Sequence, residues 1–283
     1  MSTRETVAVL GGLGFGEGLR WHEGRLWFSD FLEQRVSSVG DAGDVRVEVE
    51  LDDDRPSGLG WLPDGRLLVV AMHARRLLRR DEDGTLAVHA DLAEVATADA
   101  NDMVVAEDGT AYVGNFGADI LAGAPRRPAR LAVVRPDGSV TGGPDDLEFP
   151  NGSVITPDGS TLVVGESLAR RYRAFPIHAD GGLGEGRVWA EVGERSPDGC
   201  TLDADGAIWF ADATGSQVVR VAEGGEILEE VALPDRTYAC ALGGADGRSL
   251  FVVTAGTIPR ADAPRGTGRL WRIEVDVPHA GRP

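Results

Sequence analysis

The amino-acid sequence predicts an all-β fold, a six-bladed β-propeller with four antiparallel strands per blade. Three observations carry that expectation. A tight-turn motif recurs six times along the 283 residues, a second turn falls inside most of the repeats, and no stretch sustains a helical period. The first motif joins two apolar runs through a turn that ends in glycine. Examples are Trp61-Leu-Pro-Asp-Gly-Arg-Leu-Leu-Val-Val, Val105-Ala-Glu-Asp-Gly-Thr-Ala-Tyr-Val and Leu202-Asp-Ala-Asp-Gly-Ala-Ile-Trp-Phe. The turn glycines are Gly24, Gly65, Gly109, Gly159, Gly206 and Gly247, spaced by 41, 44, 50, 47 and 41 residues. Asp-Gly between apolar runs is a hairpin signal because both residues tolerate positive φ. The second turn is Gly40-Asp41, Asp83-Gly84, Asp137-Gly138, Asp180-Gly181 or Glu223-Gly224. Two hairpins make four strands, and four strands per 40–50 residues is the period of a propeller blade.

The whole chain, residues 1–283, reads as one such domain. Ring closure leaves no open edge if the two ends share a blade, and Thr6–Leu10 can pair beside the late strand Arg269–Val277. Residues 91–97 allow a helical turn at most. The stretch Gly11-Gly-Leu-Gly-Phe-Gly-Glu-Gly18 does not match a dinucleotide-binding loop and opens no helix.

Composition narrows the partners. Hydrophobic residues make up 42% and charged residues 26%, as in a globular protein, and no apolar run is long enough to span a bilayer. The formal net charge of -18 repels nucleic acid and anionic membranes, which leaves a small-molecule substrate as the expected partner; the oligomeric state is not fixed. The N-terminus lacks the basic and apolar segments of a secretory signal, so the expected location is cytoplasmic. Cys200 and Cys240 read as reduced, buried thiols with no zinc or redox spacing.

Aligning the repeats on their turn glycines exposes a candidate site. Stepping back eight residues, or seven in the shorter first unit, reaches Glu17, Ser57, Asn101, Asn151, Asp198 and Ala239. In a propeller the first strand of each blade lines the channel, so these positions open the inner strands and converge on the axis. Oxygen-only ligands of this kind suit a hard cation, Ca²⁺ first, with Mg²⁺, Mn²⁺ or Zn²⁺ as further candidates. Stepping forward from the same glycines reaches Asp30, Met72, Asn115, Glu166, Asp212 and Thr254, an outer ring on the same face. Two long loops, residues 117–130 and 255–268, also belong to that face. They carry Arg126, Arg127, Arg130, Arg260 and Arg265, candidates for an anionic substrate. His22 and His73 are expected at the surface.

Several segments together resemble one family: Gly16-Glu17-Gly18 before Trp21, Pro56-Ser57-Gly58-Leu59-Gly60-Trp61, Asn101-Asp102-Met103, Phe149-Pro150-Asn151-Gly152 and Pro197-Asp198-Gly199. The chain is similar, over about residues 7 to 275, to the senescence marker protein (regucalcin), gluconolactonase and luciferin-regenerating enzyme family. That resemblance implies a six-bladed propeller with one divalent metal, often Ca²⁺, on Glu17, Asn151 and Asp198. Asn101 would meet the substrate or complete the shell. Members of the family hydrolyse sugar lactones, and related propellers hydrolyse organophosphates. The implied reaction is metal-assisted lactone hydrolysis with Asp198 as general base and Asn101 at the substrate. Asn115, Glu166 and Asp99 are the further candidates for substrate contact. Asp99 marks a departure, because regucalcin-like sugar lactonases carry an Arg at that position. Two alternatives remain open, a phosphotriester hydrolase and a non-catalytic Ca²⁺-binding or interaction propeller. No G-x-S-x-G or H-E-x-x-H motif supports other hydrolytic designs.

Overall fold

The six Asp-Gly or Glu-Gly turns form because their glycines adopt positive φ, from 71° at Gly159 to 87° at Gly109. The preceding aspartate fixes several of them: Asp64, Asp108, Asp158 and Asp246 each accept from the backbone N–H two residues on. The computed structural model describes residues 4–256, 258–260 and 263–281. Its strands form six four-stranded antiparallel sheets, one per blade. Blade one spans 16–50, blade two 56–91, blade three 100–142, blade four 150–191 and blade five 197–232. Among the described residues the one helical element is a short 3₁₀ turn, Ile120–Ala122. Residues 91–97 make a single turn, closed by bonds from the Val95 and Ala96 N–H groups to the Leu92 carbonyl.

Blade six closes the ring. Its inner three strands are Arg236–Gly243, Ser249–Ala255 and Gly268–Glu274, and its outermost strand is Thr6–Leu13 from the other end of the chain. Thr6 pairs with Ile273, Val7 with Arg272 and Ala8 with Trp271. The second turns also form, with positive φ at Gly84, Gly138, Gly181 and Gly224. Blade one differs: the glycine with positive φ is Gly43, three residues after Gly40, and its N–H bonds to the Gly40 carbonyl.

The core lies between blades, where each sheet stacks on the next. Leu68, Val70 and Leu77 of blade two meet Met103, Val113 and Ala132 of blade three. Tyr172 and Trp189 of blade four meet Phe210 and Val219 of blade five. Leu19, Leu26 and Phe28 of blade one meet Ala241, Phe251 and Val253 of blade six. Each blade is thus buried on both faces, and the inner strands are held at fixed radius around the axis. Cys200 and Cys240 are buried free thiols in these layers. Burial pushes Cys200 up to about 12, so neither chemistry nor metal binding is favoured there.

Removing residues 1–13 leaves the Gly268–Glu274 strand as an open edge. The expected result is a thermal midpoint lower by roughly 5 °C or more, the shift that about 2 kcal/mol produces in a chain of this size, together with self-association in size-exclusion chromatography. An unchanged midpoint in a monodisperse sample would contradict the closure described here.

Candidate functional site

The six ring positions sit at the start of the inner strands, and each sits at an irregularity in pairing. In blade three Ala100 pairs with Asn115 and Met103 with Val113, so Asn101 and Asp102 together oppose one residue. The same shift occurs around Asn151, Asp198 and Ser57, beside Glu17 and before Ala239. A bulge of this kind re-aims a side chain without ending the strand. The residue after the ring position is glycine in four blades, and contact distances explain why. A Cβ on Gly152 would lie 2.3 Å from the Asp198 carbonyl oxygen, and one on Gly18 would lie 2.5 Å from the Ser57 carbonyl oxygen. Neighbouring inner strands therefore touch backbone to backbone next to the ring.

The ring side chains come together at the axis. Ser57 Oγ donates to Asn101 Oδ1 at 3.4 Å. Asn151 Nδ2 donates to Ser167 Oγ at 3.1 Å, and Ser167 in turn donates to the Pro197 carbonyl at 2.6 Å. It is thus the nitrogen of the Asn151 amide, not its oxygen, that is tied to the protein. Asn101, Asn151 and Asp198 are each 6% exposed, while Glu17 keeps more of its surface open to the channel. Asp198 Oδ1 is buried and has no hydrogen-bond partner. Burial, and then the charges of Asp198 and Asp102, hold the Glu17 carboxyl well above the usual carboxylate range. Burial, and then Asp102, do the same to Asp198, against bonds from Asn151 and Gly199 that favour its charged form.

Sequence reasoning missed the pair beneath the ring. Arg20 Nη2 donates to Asp102 Oδ1 at 2.7 Å, and the two side chains are 5% and 6% exposed. The bridge joins blade one to blade three across blade two. Arg20 also donates to the Leu19 and Met103 carbonyls, and Asp102 accepts from the Met103 N–H. The sequence held a signal for it: Asp102 stands where Gly18, Gly58, Gly152 and Gly199 stand in other blades. Glu17, Asp102 and Asp198 thus bring three carboxylates into the channel against the one guanidinium of Arg20. With all three carboxyls ionised the formal difference is two negative charges, the charge of one divalent cation. Asp212 also acts on Asp198, but it accepts four bonds, from the Ser196 and Thr214 N–H groups, the Thr214 hydroxyl and Gln217. Among the described residues no cluster of three or more His, Cys, Asp and Glu side chains gathers as a metal site. The candidate set reaches its oxygen count through amides instead. An orphaned carboxylate oxygen and a surplus of two negative charges fit a hard divalent ion.

The outer ring is a brace. Asn115 is fully buried, with its amide donating to the Arg130 carbonyl and accepting from the Gly117 N–H. Glu166 is fully buried, accepting from the Glu148 N–H and pairing with Arg171 at 2.7 Å. Asp30 accepts from the Gly14, Phe15 and Glu33 N–H groups, and Thr254 accepts from the Trp271 indole. Asp99, the further candidate for substrate contact, pairs with His73 at 2.8 Å and keeps its side chain 32% exposed. The Asp99 bond, opposed by burial, raises the His73 pKa. His73 is therefore on the ring face and about half exposed, whereas His22 lies at the far end of its inner strand, stacked 3.9 Å from Trp61. Of the loop arginines, Arg130 turns to the Gly143 carbonyl and Arg265 to Glu33; Arg126, Arg127 and Arg260 are exposed. Thr257, Ala261 and Asp262 of the second loop lie outside the described residues.

The SMP-30/Gluconolactonase/LRE-like region matches residues 15–256. The pentonolactonase XacC of Haloferax volcanii is 30% identical over 284 residues, covering 95% of this chain and 92% of that protein. Regucalcin of Xenopus laevis is 30% identical over 161 residues, 55% of this chain and 54% of its own length, so that match spans about half of each protein. Among solved structures, a luciferin-regenerating enzyme superposes with a TM-score of 0.83 at 20% identity, covering 98% of this chain and 97% of its own. A calcium-binding protein, regucalcin, from Agrobacterium tumefaciens superposes with a TM-score of 0.83 at 24% identity, covering 99% and 97%. These two likenesses bear on the fold.

Two outcomes follow from the buried charges. Arg20→Met leaves Asp102 buried without its partner and is expected to lower stability by about 3–5 kcal/mol, read from urea unfolding; a loss below about 1 kcal/mol would contradict the bridge's role. The raised pKa values of Glu17 and Asp198 set the pH dependence. Their contribution to stability is full below the unfolded-state values and is lost as pH rises through the raised folded-state values. In chelator, the urea midpoint should fall between pH 5 and pH 8, and added Ca²⁺ should restore more at pH 8 than at pH 5.

Proposed function

The chain belongs to the SMP-30/gluconolactonase/LRE-like family, and on that premise we propose that it hydrolyses a small lactone using one divalent cation. Glu17, Asn151 and Asp198 would hold the ion, with Ca²⁺ favoured by the all-oxygen donor set. The unpartnered, buried Asp198 Oδ1 beside the buried Glu17 carboxyl carries this reading. Bound there, a divalent ion supplies Lewis-acid polarisation of the lactone carbonyl.

The chain's own groups do the rest. Asp198 takes a proton from the attacking water as the new C–O bond forms at the carbonyl carbon. The acyl–oxygen bond of the ring then breaks, the proton passes to the departing ring oxygen, and the product is a hydroxy acid. Asn101 Oδ1 faces the Ser57 hydroxyl, which leaves its amide nitrogen as a donor to the substrate. Asn115 and Glu166 are better read as braces of the ring-face loops than as substrate contacts, since both are fully buried and bonded within the protein. Asp99, held by His73, sits at the rim. The free, buried thiols fit a reducing compartment, in line with a cytoplasmic enzyme.

Proton release from a panel of lactones, using chelator-stripped protein with and without Ca²⁺, Mg²⁺, Mn²⁺ or Zn²⁺, tests the proposal. The expected result is turnover that requires an added cation. Asp198→Asn should lower kcat by about 100-fold or more; near wild-type turnover would remove the general-base assignment. Tight cation binding without turnover of any lactone would shift the reading to a phosphotriester substrate or to binding without catalysis.

A further inference from the structure

The rim of the ring face carries a polar pair that the proposed hydrolysis does not use. His73 Nδ1 meets Asp99 Oδ2 at 2.8 Å, where the end of one blade-two strand adjoins the start of blade three. The pairing takes one nitrogen of the imidazole and one oxygen of the carboxylate. His73 Nε2 and Asp99 Oδ1 keep no protein partner among the described residues, on side chains 48% and 32% exposed. An open imidazole nitrogen and an open carboxylate oxygen thus face solvent. Asn115 and Glu166 on the same face are different, being fully buried and bonded to protein.

Backbone bonds fix where the pair stands. The Phe116 N–H donates to the Asp99 carbonyl and the Ala100 N–H to the Met72 carbonyl, so both residues sit on segments tied to the start of the strand that carries Asn101. Asp54 holds the backbone on the other side, accepting from the His73 and Ala74 N–H groups. Asp99 and Asn101 are two residues apart, about 6–7 Å of extended chain. That separation is too long for His73 to meet the ring oxygen of a lactone whose carbonyl lies among Glu17, Asn151 and Asp198, because both oxygens share one carbon. It suits a substituent further along the lactone.

The groups around His73 favour the imidazolium. The Asp99 bond raises its pKa, burial opposes that, the Asp54 charge adds to it and the Arg55 charge opposes it. With Nδ1 turned to Asp99, the imidazolium presents Nε2–H as a charged donor. A hydroxyl brought to the rim accepts from that donor, and a neighbouring hydroxyl can donate to Asp99 Oδ1. A methyl group brought there displaces water and pairs with neither.

We infer that His73, positioned by Asp99, selects lactones bearing a hydroxyl on a carbon remote from the carbonyl, its Nε2–H donating to that hydroxyl. The inference rests on the proposed lactone hydrolysis for its reaction but not for its binding preference.

The test compares 5-hydroxymethyl- and 5-methyl-γ-butyrolactone, which differ by one hydroxyl, in saturating Ca²⁺. The expected result is a kcat/KM ratio of about tenfold or more in favour of the hydroxymethyl compound near pH 6, the size of a hydrogen bond from a charged donor, and lying mainly in KM. The ratio should fall as the pH rises through the raised His73 value, because neutral His73 loses the Nε2 proton while Nδ1–H stays on Asp99. His73→Phe should bring the ratio near one at every pH, and Asp99→Asn should lower it by releasing the imidazole. Calorimetry with the two corresponding γ-lactams, which keep the ring carbonyl but resist hydrolysis, reads the same preference without turnover. Tighter binding of the hydroxymethyl lactam, lost in His73→Phe, from protein that cleaves neither lactone would uphold this inference and remove the hydrolytic one. A ratio near one in the unsubstituted protein, or a ratio that His73→Phe leaves unchanged, would overturn it.

Discussion

Two carboxylates without a compensating cation, Glu17 and Asp198, stand where six strands converge, and the architecture around the axis follows from keeping them there. Charged groups leave water at a large cost unless they are paired. The Arg20 guanidinium already belongs to Asp102 through a 2.7 Å bridge. Burial, and then the neighbouring carboxylate charges, raises both carboxyls' affinity for protons. On the proposed function, a divalent ion bound there would offset that cost. A stability optimum alone would not place an orphaned Asp198 oxygen inside a close-packed fold; structures hold such costs at sites that act.

The propeller supplies the rigidity this needs. Apolar layers between blades fix the radius of the inner strands, and the N-terminal strand of blade six removes the last free edge. Bulges then turn the ring side chains to the axis, while glycines beside them let neighbouring backbones touch. The polar residues ending the second strands tie the loops above the site to the sheets: Asp30 to the segment before Glu17, Glu166 to the segment before Asn151, and Asp212 to the segment before Asp198. The inner strands that carry the ring residues are thus tied to the loops above them.

Much of this was legible in the sequence because it repeats. Turn glycines with positive φ carry a chain-local signal, so they gave the blade count, and counting back from them reached Glu17, Asn101, Asn151 and Asp198. The closure strand was legible from edge logic. What was hidden depends on partners distant in sequence. Arg20 and Asp102 lie 82 residues apart, and only the break in the glycine register at Asp102 hints at them. The destinations of the Asn115 and Glu166 side chains are backbone groups of loops, which no spacing rule reaches. The turn of blade one shifted from Gly40 to Gly43 because either glycine can take the left-handed position, and the Asp44 carbonyl bonds the Gly40 N–H to favour the later one. His73 reached the rim because the residue after Met72 faces Asp99 across adjoining blades.

The central claim concerns one cation at one place, and anomalous diffraction from crystals grown with Mn²⁺ tests it most directly. The account predicts a single strong anomalous peak bounded by the Glu17 and Asp198 carboxylates and the Asn151 amide oxygen. A peak elsewhere, or none at this position in protein saturated with the ion, would contradict it.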